Sequence, residues 1–325
     1  KINFNLRDVH YLLNPYNFTI NIKTKNPQIL LDGGSLKIRE IKTNIEIKSL
    51  IKNQFSIDDI RISIKETQAS DIISLLRIIY NSPQLFVLDT IIKDGLISAN
   101  IILKFDENGK LKENYKINGS VKKVKLKILN QIKLQNLSLK FDIAKNIYSL
   151  KSVDMKLNNT NITSSLIKIK RKEKSFFVNG QFLNENRSFD IEDLRPIIFN
   201  LFNDINIKKI QFSSINDFSF NINNKLKLKD LKVKASIDLK ELIINEKNLK
   251  LKKYFPNFEE ELKFKAHKLV IDYYKDKFKI KGSGSILLGN KLDNLSYQII
   301  RNKNNIFFDS KINLKNNSLL IDFLN

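Results

Sequence analysis

The chain has 325 residues, 42% of them hydrophobic, and a formal net charge of +23. That apolar share excludes a disordered chain, and the absence of cysteine excludes disulfides, thiolate zinc sites and thiol catalysis. With only nine glycines and five prolines, the turns must be built largely from Asn, Asp and Ser.

The lysines are spread along the whole chain rather than gathered into a patch. Lys, Asn and Ile are abundant together, as AT-rich coding would make them, so no specific nucleic-acid partner is expected. A general attraction to an anionic membrane surface remains as a physical reading. No apolar run reaches the roughly 18 residues that a membrane-spanning helix needs. The first residue is Lys1, so the expectation is a processed terminus or a piece of a longer chain, with any membrane anchor lying outside it.

Taken in order, the first strong signal is period-two alternation in Phe18-Thr19-Ile20-Asn21-Ile22, which predicts a strand with Phe18, Ile20 and Ile22 on one face. A turn is expected at Asp32-Gly33-Gly34. Ile60, Ile62 and Ile64 alternate with Arg61 and Ser63 in a second such strand. A helical insertion is expected over about 68–95: one helix at Ser70–Tyr80, then a second opened by Ser82-Pro83 and ended at Gly95. Ile97–Phe105 and Leu111–Gly119 read as a hairpin around Glu107-Asn108-Gly109, with Asn118-Gly119 as a further turn. Alternation returns in Leu137, Leu139, Phe141 and Ile143. A short helix is expected at about 191–203, where Leu194, Ile197, Ile198, Leu201 and Phe202 share a face. Plugging or capping the sheet is the favoured role for these helices. Leu231, Val233, Ala235 and Ile237 form a strand, and Leu295 and Tyr297 another. Weaker turns are expected at Asn158-Asn159, Asn223-Asn224 and Asn316-Asn317. The strands should number roughly 16–22 of ordinary length. Without a composition break or linker, the chain reads as one unit over 1–325.

A loose repeat runs through these strands: apolar, two polar, apolar, then alternation. Copies stand at Ile57/Ile60/Ile62/Ile64, Leu134/Leu137/Leu139/Phe141 and Leu150/Val153/Met155/Leu157. Others stand at Leu228/Leu231/Val233/Ala235, Ala266/Leu269/Ile271/Tyr273 and Leu292/Leu295/Tyr297/Ile299. Two polar residues in a row put the alternation out of phase, so a bulge or a short turn is expected there to re-aim the apolar face. One-sided strands of this kind belong to a mainly β, antiparallel sheet with one apolar and one lysine-rich face.

No catalytic, cofactor or metal constellation is legible. His10 and His267 lack neighbours at ligand spacing and are expected at the surface. Gly282-Ser283-Gly284-Ser285 reads as a turn or bulge between strands rather than a phosphate loop. Glu259-Glu260-Glu261 reads as the acidic first turn of a short helix. Most of the aromatics lie on the apolar parity, not on the basic face where RNA-stacking sheets carry theirs. An enzyme is not expected.

Asn14-Pro15-Tyr16-Asn17-Phe18 leading into Thr19–Lys23, then Asn26-Pro27-Gln28-Ile29-Leu30-Leu31, Ile41–Leu50 and Phe55-Ser56-Ile57-Asp58-Asp59-Ile60-Arg61-Ile62, resemble in order and style the N-terminal part of AsmA-like envelope proteins, the group that includes TamB-type proteins. The later repeat copies extend the resemblance over most of the chain. It implies an elongated, curled, taco-like β-groove in the periplasm of a Gram-negative cell, anchored to the inner membrane, binding phospholipid acyl chains and supporting outer-membrane biogenesis. The candidate lining of such a groove is Phe18, Ile20, Ile22, Ile60, Ile62, Ile64, Leu137, Leu139, Phe141, Leu231, Val233, Leu295 and Tyr297. The other reading is a structural or interaction protein of envelope assembly, with its β core closed and without lipid cargo.

Overall fold

A computed structural model of the chain describes residues 3–31, 34–52, 57–79, 83–129, 132–157, 160–189, 206–223, 225, 227–245, 251–259, 261–275, 277–302 and 305–320. The fold is mainly β, with open antiparallel sheets and a few short helices, as the alternation predicts. The chain divides into two compact units, Lys1–Lys156 with Ser165–Phe176, and Leu157–Ser164 with Phe177–Asn325.

The first unit opens with β1 (Asn3–Asn5), β2 (Val9–Asn14), β3 (Thr19–Lys25), β4 (Gln28–Leu31) and β5 (Gly34–Glu46). β3 and β4 pair with successive halves of β5, separated by a break at Asn26 and the buried Pro27. α1 (Ile47–Ile51) leads to β6 (Ile57–Gln68), and α2 (Ala69–Ile79) and α3 (Pro83–Ile91) form the helical insertion. β7 (Ile92–Lys104), β8 (Lys116–Leu129) and β9 (Ile132–Ala144) then continue the meander beside β6. β10 (Ile147–Leu157) pairs with β9. β11 (Thr160–Lys172) and β12 (Ser175–Phe189) run through the segments where the two units exchange chain. The second unit is a meander of β13 (Ile207–Asn223), β14 (Leu228–Asn245), β15 (Glu261–Tyr274), β16 (Lys277–Leu287), β17 (Leu292–Asn302) and β18 (Asn305–Asn313).

Turns use carboxylate and amide side chains, as the scarcity of Gly and Pro demands. The Asn14 Oδ1 accepts the amides of Tyr16 and Asn17. Asp106 Oδ1 accepts those of Asn108 and Lys110, and Asn223 Oδ1 those of Lys225 and Lys227. Each side chain mimics a backbone turn and satisfies two donors at once.

Several sequence expectations are corrected. The second helix stops at Ile91, because the chain already enters β7, and Gly95 lies within that strand. Gly95 has φ +130°, and a Cβ there would collide with Val124 across the sheet, so the glycine marks close backbone approach and not a helix end. Asn118-Gly119 is strand interior: Gly119 faces Ala99 on one side and Phe141 on the other, and a Cβ would come within 2.6 Å of the Phe141 ring. The hairpin around Asn108-Gly109 therefore regains its ladder only at Lys116, after a single bridge from Phe105 to Leu111. Gly282–Ser285 lies inside β16, and Glu261 begins β15 instead of a helix. Asp32, Gly33, Asn158, Asn159, Asn224, Glu260 and the helix expected at 191–203 lie outside the described residues.

Two buried clusters occur among the described residues. In the first unit, Leu36 and Ile38 are covered by Ile72 of α2 and by Ile62, so the helix does plug the sheet. In the second, Phe255, Phe258, Leu262, Ile286, Leu288 and Leu295 cap the end of the meander. Asp293, 3% exposed, secures this cap: its Oδ1 accepts the amides of Lys315 and Asn316 at 2.9 Å each, and its Oδ2 accepts Asn317 Nδ2 at 2.8 Å.

Two outcomes are expected in urea unfolding. Gly95→Ala should lose about 2 kcal/mol or more, since both φ and Val124 oppose a side chain. Asp293→Asn should lose about 1–3 kcal/mol by replacing a carboxylate that holds three donors. Those donors hold the Asp293 pKa down although burial pushes it up. Its contribution is therefore complete above the unfolded carboxylate pKa of about 4 and fades as pH falls below it. The Asn variant should show no such fade.

Candidate functional site

The outstanding feature is an apolar face built in rows that run across the strands. In the first unit Ile62 stands opposite Ile41 and Ile101, Ile101 opposite Ile117, and Ile117 opposite Ile143. The next row passes from Ile38 through Ile64, Ala99 and Gly119 to Phe141, and a third from Ile97 through Val121 to Leu139. In the second unit Ala235, Ile271, Ile280, Ile299 and Phe308 form one row, and Phe218, Val233, Tyr273 and Phe278 another. Successive side chains on a strand alternate between faces, so the rows place lysines opposite them: Lys232, Lys234 and Lys240 are exposed while Leu231, Val233, Ala235 and Leu239 turn inward.

Bulges keep the face continuous. Asn136, Ser152 and Asp230 each sit directly before the second apolar residue of a repeat copy, with φ values of 54°, 50° and 53°. Lys123, in Val121-Lys122-Lys123-Val124, does the same with φ 53°. Three residues of β8 (Val121 to Val124) span only two of β9 (Leu139 to Leu137), and the count reverses over the next step to Leu126 and Leu134. The Lys123 amide is met by the Ser138 hydroxyl at 3.2 Å. A left-handed non-glycine residue costs about 1–2 kcal/mol. Turning three or four aliphatic side chains back toward the apolar face outweighs this, at about 1 kcal/mol for each half-buried one. The expected re-phasing is therefore real at these copies. At Ile57 the register also shifts without a left-handed residue, whereas the Leu292 copy is a regular strand in which Asp293 takes the inward position and Leu292 the outward one.

A further left-handed strand residue, Ala266 (φ 52°), corrects the surface expectation for His267. Lys265 and Ala266 are both exposed, and His267 thereby turns inward and is fully buried. Its Nε2–H donates to the Ser285 carbonyl at 2.9 Å, which fixes the tautomer and leaves Nδ1 without a partner. Phe264 meets the imidazole edge-on at 5.5 Å and Tyr297 lies 5.8 Å away. Gly284 makes room for the imidazole and Gly282 for the Tyr297 ring and Leu269, each of which would stand within 2.6 Å of a Cβ at position 282. Burial holds His267 below its ordinary value, against the raising effect of the Ser285 carbonyl, and pushes the Tyr297 hydroxyl up to about 12.

The structure thus places the candidate lining residues in two sets. Ile20, Ile22, Ile60, Ile62, Ile64, Leu137, Leu139 and Phe141 belong to the first unit, all half-buried, with Ile62 beneath α2. Leu231, Val233, Leu295 and Tyr297 belong to the second, where Leu295 is buried in the end cap. Phe18 stands apart: it occupies the turn before β3 with φ 49°, is about half exposed, and has the Lys48 ammonium 5.3 Å from its ring centre. Among the described residues no group of three His, Cys, Asp or Glu converges to hold a metal ion. No described helix is long and apolar enough to cross a membrane.

The lysine-rich face is tied by carboxylates shared between strands. Glu40 takes hydrogen bonds from Lys23 at 2.5 Å and Lys42 at 2.6 Å, which hold its carboxyl below the usual range. Glu241 is held down in the same way by Lys209 at 2.6 Å.

A pH effect follows from His267. The unfolded imidazole takes a proton near pH 6.5 while the folded one resists it, so its stabilising effect is full above that pH and is lost as the pH falls through the depressed folded value. Urea midpoints measured from pH 8 down to about pH 5 should fall for the native protein, and His267→Gln should remove that part of the slope. No protein-family model, no curated protein and no solved structure matches this chain.

Proposed function

We propose that this chain is a periplasmic AsmA-like protein of the TamB type, which holds phospholipid by its acyl chains on the apolar face of a curled, taco-like β-groove. In this reading it helps move phospholipid between inner and outer membranes, in support of outer-membrane biogenesis, and performs no catalysis. The observation that carries the reading is the half-burial of much of the apolar rows, although Ile38, Ala99, Ala235 and Ile280 within them are buried. Ile60, Ile64, Leu139, Phe141, Leu231 and Val233 all point to the apolar face, yet none is sealed from solvent. A face of this size left uncovered in water favours an apolar ligand. Each acyl methylene laid on it contributes on the order of 0.8 kcal/mol. Rows made mostly of aliphatic side chains suit a chain of methylenes better than a ligand recognised by hydrogen bonds. The headgroup is then left to the water and to the lysines of the rim.

A second reading, that of a structural or interaction protein of envelope assembly, draws support from β18. All nine of its residues are exposed, Ile306, Phe307 and Phe308 by more than 60%. Apolar side chains exposed in this way favour a protein partner.

Native mass spectrometry of the full chain, after exchange out of mild detergent, separates the two. The lipid reading expects bound phospholipid, and expects Leu139→Asp and Val233→Glu to strip it while the β signal in circular dichroism persists. Loading that survives both substitutions would sink this reading, and a lipid-free chain that captures a protein partner through β18 would establish the second.

A further inference from the structure

Exposed apolar side chains are scattered over most of the molecule but crowd at one end of the first unit, where β2 turns into β3 and β5 passes into α1. Tyr16 is 94% exposed, Tyr11 and Ile51 each 79%, and Leu13, Phe18 and Leu50 about half. The three segments are joined side by side. Asn14 pairs with Thr19 and Thr19 with Glu46, and the amide of Ile47 donates to the Phe18 carbonyl at 2.9 Å. The Asn14 side chain holds the turn in shape by accepting the Tyr16 and Asn17 amides, so Tyr16 is presented by ordered backbone. Lys48 and Lys52 flank the apolar residues of α1, and neither has an ion pair among the described residues.

We propose that this end of the first unit docks on a phospholipid bilayer. Tyr16, Phe18, Leu50 and Ile51 enter the interfacial zone, and Lys48 and Lys52 stay at the depth of the phosphates. Tyrosine and phenylalanine suit the boundary between headgroup and acyl chain, and lysine extends its stem through apolar surroundings while its ammonium remains with the phosphates. Tyr16 and Phe18 stand on a turn and Leu50 and Ile51 on α1, each about half exposed or more, which fits a fluid surface that moulds itself around them. Charge complementarity points the same way, since the Lys48 and Lys52 ammonium groups, without an ion pair among the described residues, meet the anionic headgroups of the surface. The choice of a bilayer over a protein partner rests on the lipid-carrier reading, because a carrier must meet the membranes it serves.

The chain contains no tryptophan, so Tyr16→Trp places a single reporter at the tip of the full chain. With vesicles of phosphatidylcholine containing a minority of phosphatidylglycerol, its emission should shift to the blue and be quenched by brominated acyl chains. Lys234→Trp, on the polar face of the second unit, should report no change. Adding Ile51→Asp to the Tyr16→Trp chain should weaken vesicle binding about tenfold or more. Unchanged Tyr16→Trp emission with vesicles overturns the proposal. So does a blue shift that depends on protein concentration alone, which assigns the tip to a second copy of the chain. The lipid-carrier reading is scored separately by mass spectrometry. Lipid loading without vesicle docking overturns the docking proposal only, and docking by a lipid-free chain supports it while removing the carrier reading.

Discussion

In an extended strand each residue points opposite to its neighbour, and a sheet with one apolar face can tolerate no error in that parity. Strands of thirteen to eighteen residues, such as β7, β13 and β14, accumulate twist and cannot keep one face aligned by alternation alone. Single left-handed residues at Lys123, Asn136, Ser152, Asp230 and Ala266 reset the parity where it would otherwise fail. Much of the rest follows from those resets: the continuation of the apolar face along β8, β9 and β14, the lysines opposite it, and the burial of an imidazole in the second unit. Asn and Asp enter the left-handed region with little strain, and Lys123 compensates with the hydroxyl of Ser138 on its amide.

Stability is unevenly distributed along the faces. Tight packing is found in the cluster under α2 and in the cap of Phe255, Phe258 and Leu288, where Asp293 ties the following segment down. Between such places the inward face is mixed: Val124, Val153, Ala235, Leu239 and Ile280 are buried, while Ile60, Ile64, Leu139 and Val233 are half-buried, and cohesion is shared with the ladder and with ion pairs across strands, such as Lys23–Glu40–Lys42. A half-buried side chain contributes less to stability than a sealed one. On the lipid reading proposed above, the same positions are the ones an acyl chain covers.

Much of this was legible in the residues. Leu231-Lys232-Val233-Lys234-Ala235 states its parity outright, and α2 is announced by its apolar periodicity. What escaped reading was the set of residues whose meaning depends on a neighbour across the sheet. Gly119 and Gly282 look like turn residues from their own strands, and only the rings of Phe141 and Tyr297 explain them. His267 looks like a surface residue until the reset at Ala266 is counted. Phe264-Lys265-Ala266-His267-Lys268-Leu269 then fits the re-phased repeat, with histidine in an apolar slot. Reading the template with any inward residue, and not only aliphatics, would have found it. Phe18 was misread for the opposite reason: it follows the alternation of β3 in sequence but lies one residue before the strand starts.

The excess of lysine on one face has a consequence for how copies of the molecule treat one another. All nine residues of β18 are exposed, Phe307 and Phe308 among them, a combination that ordinarily favours association between copies. A chain carrying +23 repels its own kind over a distance set by the surrounding electrolyte, about 10 Å at 0.1 M salt and about 3 Å at 1 M. The colloidal barrier between copies is therefore an ionic one, and it weakens as salt shortens that distance.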